Sequence, residues 1–514
     1  MATSVSTVTL LGLEPEAVLV EATLQRGLPA VHVVGLPDAA VRESVERVRG
    51  ALRSAGQEFP RGRLTISLSP AEIKKTGAHF DLVIALAVLA LQGQMPNLQR
   101  SDGFLGQLGL DGSIRPVRAV LPLALGLLRQ GTRRCFVSMP DARLLRHIPG
   151  LEVIAIKSLT ELVHVLATGV IPTNRQTPDQ SKPTSERESE FTLDTLVGLH
   201  VAKRALIVAA AGGHNLLLVG PPGTGKTVLA RCLPGLLPPL EPLEQREVNA
   251  IWSAAGFLHN WMTQRPYRSP HHAASSVSLL GGGVPLQPGD VSLAHRGVLF
   301  LDELPEFRRD AIEQLRQPLE EGLVRVSRAG CRATFPARFL LVAAANPCPC
   351  GYLGDQLRAC ACGPAQVRRY QQKLSGPLLD RIDIVAQVPR SSLSRIEAGG
   401  VSPALEEQRR ALTAIKHARQ RQVVRNKDAK SNNLLNALLS SVQVRALVKL
   451  DTQARSLLEH AERKLGLSPR GYIRVLRVAR TLADLAQRQN VVLDDVAEAL
   501  QYRPEFARST KESS

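Results

Sequence analysis

Long hydrophobic runs and an amino-terminal targeting pattern are missing from this sequence of 514 residues. Its longest apolar runs, such as residues 82–91, are about half the length that a membrane-spanning helix needs. The first apolar residues lie beside Glu14 and Glu16 rather than behind a basic segment, which is not the pattern of a signal peptide. We therefore expect a soluble, cytoplasmic protein with no membrane partner.

Cysteine is also scarce, with seven residues in all, but four of them fall within residues 348–362. In a reducing compartment such a cluster indicates a metal site rather than disulfides. Cys348, Cys350, Cys360 and Cys362 form two C-x-C pairs whose thiolates can close a tetrahedral Zn²⁺ site. Free thiols in a loop are the alternative, because C-x-C is tighter than the usual spacing. Any zinc here would be structural, since four protein ligands leave no open position.

Acidic residues are too few to balance the basic ones, and the formal net charge is +18. Residues 1–190 hold 21 Lys and Arg against 18 Asp and Glu, whereas residues 191–514 hold 43 against 28. Such an excess is the expected footprint of a polyanion such as nucleic acid, although solvated surface arginines produce it too.

The chain is longer than a usual single domain, and its composition and periodicity predict an α/β fold in several parts. We expect an α/β domain over residues 1–171 and a flexible linker, rich in Pro, Ser and Thr, over 172–190. A β-α-β nucleotide-binding core follows over 191–400, then a helical domain over 401–506 and a polar tail over 507–514.

A glycine-rich loop follows a short apolar strand pattern and precedes a helix pattern. It consists of Gly220, Pro221, Pro222, Gly223, Thr224, Gly225, Lys226 and Thr227, which has the form G-x-x-x-x-G-K-[ST]. In this context the backbone N–H groups surround phosphate oxygens, Lys226 reaches the β- and γ-phosphates of ATP, and Thr227 ligates Mg²⁺. A plain glycine turn is the alternative.

Polar side chains follow three further strand patterns. Asp302 suits Mg²⁺ coordination and Glu303 suits the polarising of an attacking water, while the amide of Asn346 can orient that water or the γ-phosphate. Arg381 precedes another strand, where an arginine can neutralise transition-state charge. If a neighbouring subunit supplies it, activity requires a ring. Buried strands that end in acids and turn asparagines also occur without catalysis, but their combination with the glycine loop favours hydrolysis.

The segments GPPGTGKT, GVLFLDELPEF, AAANPCPCG, GPLLDRID and LSPRGYIRVLRVART together resemble the Mg-chelatase-like branch of the AAA+ ATPases, and specifically its ComM/YifB family. This resemblance implies a P-loop AAA+ core with a helical carboxy-terminal lid, ATP and Mg²⁺ as cofactors, and a homo-oligomeric, hexameric ring. It makes residues 220–227 Walker A, and it implies the following roles: Walker B for Asp302 and Glu303, sensor 1 for Asn346, arginine finger for Arg381, and sensor 2 for Arg470.

Two insertions resemble those of ring helicases in this branch. Residues 265–290 resemble the helix-2 insert, and residues 324–335 resemble the hairpin before sensor 1, which projects into the pore. Arg325, Arg328 and Arg332 would there contact DNA phosphates independently of sequence. Ordinary surface arginines on an exposed hairpin are the alternative.

The first domain resembles the Lon-protease-like domain, with its ribosomal S5 domain 2-like α+β fold, through residues 69–77 and 106–117. A protease needs a serine beside the glycine turn and a lysine base after the Pro-Val pair. This chain has Ala78 and His79 in the first place and Arg118 in the second, so we expect a scaffold or DNA-facing role rather than proteolysis. A second departure is Gly198-Leu199, where relatives usually have Gly-Gln, which leaves the nucleotide-base contact open.

These features favour an ATP-driven ring translocase with single-stranded and branched DNA as its partner. The family resemblance implies promotion of branch migration while incoming DNA is integrated in natural transformation. One alternative is a chelatase motor for Mg²⁺ insertion into porphyrin, although chelatase motor subunits lack a Lon-like domain. The other is an ATP-gated scaffold or chaperone.

Overall fold

The computed structural model of the protein describes residues 3–94, 98–99, 101–171, 191–283, 285–328, 331–373, 376–390, 406–426 and 435–503. The predicted linker over 172–190 and the polar tail over 507–514 lie outside these residues. None of the described helices is long and apolar enough to cross a membrane.

The first part of the chain packs two sheets around a central helix. One sheet has the order β1-β2-β4-β3, and the other is parallel with the order β5-β8-β9. The central helix α2 is apolar all round, which is the pattern of a helix buried on every side. The strands are β1 (Thr3–Leu11), β2 (Glu14–Gln25), β3 (Ala30–Val34), β4 (Arg63–Ser69), β5 (Asp102–Leu105), β6 (Gln107–Leu108), β7 (Ile114–Arg115), β8 (Arg134–Val137) and β9 (Glu152–Ala155). The helices are α1 (Ala39–Ser54), α2 (Phe80–Leu91), α3 (Val120–Arg129), α4 (Met139–Leu145) and α5 (Leu159–Thr168).

A five-stranded parallel sheet with the order β11-β14-β17-β10-β18 forms the second part. Its middle strands are continuous apolar runs because both faces of a parallel sheet are covered. The strands are β10 (Leu216–Val219), β11 (Tyr267–Arg268), β12 (Gly281–Gly282), β13 (Gln287–Pro288), β14 (Val298–Leu301), β15 (Leu323–Arg328), β16 (Cys331–Pro336), β17 (Leu340–Ala345) and β18 (Ile384–Gln387). The helices are α6 (His200–Gly212), α7 (Lys226–Cys232), α8 (Pro242–Ala255), α9 (Ser276–Leu280), α10 (Asp290–Leu293), α11 (Arg309–Gln314), α12 (Arg316–Glu321), α13 (Pro364–Lys373) and α14 (Gly376–Leu379).

The described residues after 405 are helical apart from short connections, and they pack against α6 through a shared apolar core. A buried polar network reinforces this packing: His214, just before β10, bonds Asp383 at 3.0 Å and Thr481 at 2.8 Å. The helices are α15 (Glu406–Asn426), α16 (Ser441–Leu447), α17 (Thr452–Leu465), α18 (Pro469–Leu485) and α19 (Leu493–Gln501). The predicted α/β class, with a helical carboxy-terminal part, is confirmed.

The first part of the chain docks onto α8 of the second. The Arg118 guanidinium donates to the carbonyl of Ala255 at 2.7 Å, and the backbone N–H of Ala119 donates to the Ser253 carbonyl at 3.2 Å. The residue in the place of a protease lysine therefore holds two parts of the chain together. His79, in the segment after Gly77 where the resemblance would require a serine, is buried, and desolvation lowers its pKa to about 4.

Candidate nucleotide-binding site

The glycine-rich loop lies between β10 and α7, at the carboxyl edge of the parallel sheet. Gly223 and Gly225 have φ of +76° and +86°, a region that favours glycine. A Cβ on Gly220 would lie 2.2 Å from the carbonyl oxygen of Val388, because the backbone of the segment after β18 passes directly beside it. The loop conformation therefore depends on these glycines, and α7 points its N-terminus toward the loop, as an anion site requires.

Lys226 lies inside the loop and joins it to the next strand of the sheet. Its ammonium donates to the carbonyls of Gly220 at 2.7 Å and Pro221 at 2.8 Å, and to the amide oxygen of Asn346 at 3.2 Å. Burial lowers the pKa of Lys226, while the nearby carboxylates of Asp302 and Glu303 oppose that shift. The structure thus brings Lys226 and Asn346 together, although 120 positions separate them in the chain.

The two predicted Mg²⁺ ligands are adjacent. The Thr227 hydroxyl donates to the Asp302 carboxylate at 2.8 Å, which places a hydroxyl oxygen from the first turn of α7 beside a carboxylate oxygen that follows β14. Hard oxygen ligands of this kind suit Mg²⁺, which usually keeps several waters and is also bound by substrate phosphates. The residues therefore fit a Mg²⁺–nucleotide complex, in which the ion would neutralise phosphate charge.

Glu303 lies at the rim of this site, with its side chain 55% exposed and so accessible to water. Its backbone is left-handed, with φ of +52°, and its N–H donates to the Asp302 carboxylate at 3.0 Å. The imidazole Nδ1 of His272 lies 3.5 Å from the Glu303 carboxylate. The sequence placed His272 in the insert and missed this contact. The adjacency of β11 and β14, which only the sheet order reveals, produces it.

Arg381 and Arg470 lie at the opposite edge of the sheet. Both line an open cleft of about 2450 Å³, together with Asn215, Gly297 and Leu340 at the amino ends of the strands. The side-chain amide of Asn215 donates to the Arg381 carbonyl at 2.9 Å. Because β10 alone spans about 13 Å between Asn215 and the glycine loop, one chain does not bring these arginines to its own Lys226.

A lid residue holds this arginine edge together. Arg474, on the same helix as Arg470, donates to the carbonyls of Leu379 at 3.1 Å and Ile382 at 3.0 Å. The Arg381 guanidinium bonds the Glu320 carboxylate. Both predicted arginines thus line one cleft between the core and the helical part, with Arg470 exposed and the Arg381 side chain 11% exposed.

Three family descriptions match successive parts of the chain. Residues 20–141 match "Subunit ChlI of Mg-chelatase", residues 192–396 match "Magnesium chelatase, subunit ChlI", and residues 406–503 match "Magnesium chelatase, subunit ChlI C-terminal". An uncharacterized protein of Mycobacterium tuberculosis is 43% identical over 507 residues, which cover 97% of each chain. YifB of Escherichia coli is 39% identical over 503 residues, with 96% of this chain and 95% of YifB covered. Competence protein ComM of Haemophilus influenzae is 39% identical over 500 residues, with 96% of each chain covered.

The chain belongs to the ComM/YifB family. It is a Mg-chelatase-like AAA+ protein, and membership implies ATPase activity with ATP and Mg²⁺. The predicted resemblance and the AAA+ fold with its helical lid are confirmed.

The departure at Leu199 lies beside the nucleotide loop of this ComM/YifB-family protein. Leu199 is left-handed, with φ of +55°, at the start of α6. A Cβ on Gly225 would lie 3.9 Å from its Cδ1. An apolar side chain therefore stands where relatives usually have a glutamine amide.

The four predicted cysteines form one cluster. Their sulfur atoms all lie within 4.8 Å of one another, with separations of 3.4 Å for Cys348 to Cys350 and 3.6 Å for Cys348 to Cys360. Tetrahedral zinc with Zn–S bonds of about 2.3 Å places its sulfurs about 3.8 Å apart, so the cluster fits the ion. Among the described residues no other group of three or more His, Cys, Asp or Glu is placed to hold a metal.

The cysteine loop contacts the nucleotide loop directly. A Cβ on Gly351 would lie 2.7 Å from Cδ of Pro222 and 3.8 Å from Cγ of Asn346. The loop therefore packs on both Walker A and the candidate sensor.

The predicted arginine hairpin is formed by β15 and β16, which pair antiparallel. Arg325 and Arg332 lie on its exposed face, and the Arg325 guanidinium bonds the Glu321 carboxylate. The backbone of Arg328 pairs with Cys331, while its side chain lies outside the described part of the chain. On the opposite, buried face are Val324, Ala333 and Phe335.

Proposed function

We propose that this protein is a ring-forming ATPase whose turnover is stimulated by DNA and which translocates on single-stranded and branched DNA. The observation that carries the proposal is the hairpin β15–β16, whose exposed face presents Arg325 and Arg332. The strand β17 that follows the hairpin ends at Ala345, and the next residue, Asn346, accepts a hydrogen bond from Lys226. The hairpin is thus connected to the nucleotide site through a single strand.

We infer a head-to-tail ring from the opposite locations of Lys226 and Arg381 in one chain, and we take its six subunits from the family resemblance. A head-to-tail interface brings two different surfaces together and forms a ring when the rotation between subunits closes. Such an interface would place the Arg381 and Arg470 surface of one subunit against the glycine loop of the next. The roles of sensor 1 for Asn346, arginine finger for Arg381 and sensor 2 for Arg470 are part of this proposal.

We further propose that the DNA motor promotes branch migration during the integration of incoming DNA in natural transformation. The support is the similarity over nearly the whole chain to a protein named Competence protein ComM. The excess of 43 basic over 28 acidic residues in residues 191–514 agrees with a nucleic-acid partner.

DNA binding is expected to weaken when both exposed hairpin arginines are removed. The variant Arg325→Ala/Arg332→Ala should flatten the slope of log K against log salt for single-stranded DNA by about 1.4, because two phosphate contacts are lost. Fluorescence anisotropy between about 50 and 200 mM salt measures that slope. ATPase rates with and without single-stranded or three-way-junction DNA test the coupling.

The matched control is Arg308→Ala/Arg309→Ala, which removes two exposed arginines at α11 with the same change of charge. Equal effects of the two double variants would show that only general charge matters. A wild-type ATPase that ignores DNA and responds to a porphyrin or to a client protein would favour the chelatase or the chaperone function instead.

We propose that the cysteine cluster holds one structural Zn²⁺. Purified protein should contain about one zinc per chain, and less than about one per two chains would exclude the site. Cys360→Ser should lose the metal and lower the thermal midpoint, because the folded loop is stabilised by the bound ion. Metal analysis and calorimetry measure both effects, and Cys135→Ser, a buried thiol far from the cluster, should keep its zinc.

A further inference from the structure

The turn between β1 and β2 of the amino-terminal part touches the buried face of the arginine hairpin. A Cβ placed on Gly12 would lie 2.6 Å from Cβ of Ala333 in β16 and 3.5 Å from the ring of Phe335. Gly12 has φ of +69°, so glycine is required there by conformation as well as by space. The contact joins residues more than 300 positions apart, in two different parts of the protein.

Leu13 extends this contact into the apolar core under the hairpin. It packs against the cluster that contains Val324, Ala333 and Phe335, which form the buried face of the hairpin. It also packs against a smaller cluster around Ile251 on α8. The Leu13 side chain therefore packs between the buried face of the hairpin and α8.

A second attachment fixes the turn relative to the ATPase core. Arg118 and Ala119 bond the carboxyl end of α8, and His147 stacks on Trp261 with ring centroids 4.7 Å apart. Val8, in the sheet that carries the turn, belongs to an apolar cluster against which Trp261 also packs. The amino-terminal part therefore contacts the ATPase core at two places, α8 and the buried face of the hairpin. Because there are two contacts, it cannot rotate about either one alone.

We propose that the β1–β2 turn, Gly12 and Leu13, is a positioning element that fixes the angle at which the hairpin presents Arg325 and Arg332 to DNA. This inference rests on the proposed function and gives the amino-terminal part a role in it. The turn touches neither nucleotide nor DNA, and it acts through the buried face of the hairpin. Displacing the turn therefore changes the coupling of DNA binding to ATP turnover, while every residue of the nucleotide site is kept.

The test compares two glycine substitutions that differ in what surrounds them. Gly12→Ala adds a methyl group that must displace Ala333, whereas Gly93→Ala adds the same group at φ of +71° with nothing within 4 Å. The two glycines have nearly the same φ, +69° and +71°, so the contact with Ala333 is what distinguishes the two substitutions. We expect Gly12→Ala to lower the DNA-stimulated ATPase rate about tenfold or more, as small misplacements do, with basal turnover unchanged. Gly93→Ala should match the wild type.

A rescue separates repositioning from damage to the fold. The double variant Gly12→Ala/Ala333→Gly removes the methyl group that the new Cβ would meet, and it should recover most of the DNA stimulation. Calorimetry on all variants and Ala333→Gly alone accompany the rates. Failure of the double variant to recover, or equal losses in Gly12→Ala and Gly93→Ala, would overturn the positioning role. A wild-type protein that DNA does not stimulate would instead overturn the proposed function.

Discussion

Substituting Arg381 with alanine is expected to lower steady-state ATPase turnover about 10³-fold or more, the range found for arginine fingers in phosphoryl transfer. A guanidinium neutralises charge that develops on the transferred phosphoryl group. Lys226 of the same chain already provides one positive charge inside the glycine loop. Arg381 lies at the amino edge of the sheet, whereas the glycine loop lies at the carboxyl edge. In the proposed ring its contribution is therefore made to a neighbouring subunit.

Mixing two inactive variants tests this arrangement sharply. Lys226→Ala keeps Arg381, and Arg381→Ala keeps an intact glycine loop. In a ring of randomly mixed variants there are four types of interface, and one of them joins an intact glycine loop to an intact Arg381. An equimolar mixture should regain about one quarter of wild-type turnover, provided that sites act independently in a head-to-tail ring. Subunits are exchanged between rings without unfolding them, and the rate of ATP hydrolysis of the mixture is then measured. A mixture as inactive as its components would show that each chain completes its own site.

The ion pair between Arg381 and Glu320 supplies the matched control. Glu320→Gln removes the charge of the partner but leaves the guanidinium in place, with the Glu320 side chain 52% and the Arg381 side chain 11% exposed. Equal losses in Arg381→Ala and Glu320→Gln would assign the effect to the pair rather than to transition-state charge. Arg381→Lys should recover only a part of the rate, because an ammonium lacks the planar fork of donors.

The parts of the site that the sequence could predict share one property. Lys226, Asp302 and Asn346 each follow a strand of a parallel sheet, and the carboxyl ends of such strands meet at one edge whatever their order. The motif spacing was therefore sufficient for them. The cysteine cluster was predictable for a similar reason, since its four residues lie within one short loop.

Other features depended on which elements are neighbours, and no local pattern encodes that. His272 faces Glu303 only because the two-residue strand β11 is the edge strand beside β14. Arg470 joins Arg381 only because α18 bonds the segment between α14 and β18. The contact of Gly12 with Ala333 needs the packing of two parts of the chain that are more than 300 residues apart. Hydrophobic periodicity shows which face of each helix or strand is buried, but it does not show which element packs against that face.

Replacing Glu303 with glutamine is expected to lower kcat about 10²- to 10⁴-fold, the usual contribution of a positioned general base. The amide has nearly the same size but cannot take a proton from water. Glu303 is exposed at the rim, while Thr227 and Asp302 hold the Mg²⁺ positions, so nucleotide binding should persist. Lys226→Ala, by contrast, should lose binding itself, because it removes the charge that faces the β- and γ-phosphates.

Single-turnover hydrolysis and equilibrium binding of a fluorescent ATP analogue separate the two effects. Glu303→Gln should bind the analogue within about threefold of wild type while its hydrolysis stalls, which marks an interaction made only in the transition state. Glu313→Gln, an acid of α11 paired with Arg309, carries the same chemical change and should leave both quantities unaltered. A Glu303→Gln protein that hydrolyses ATP at the wild-type rate would remove Glu303 as the base.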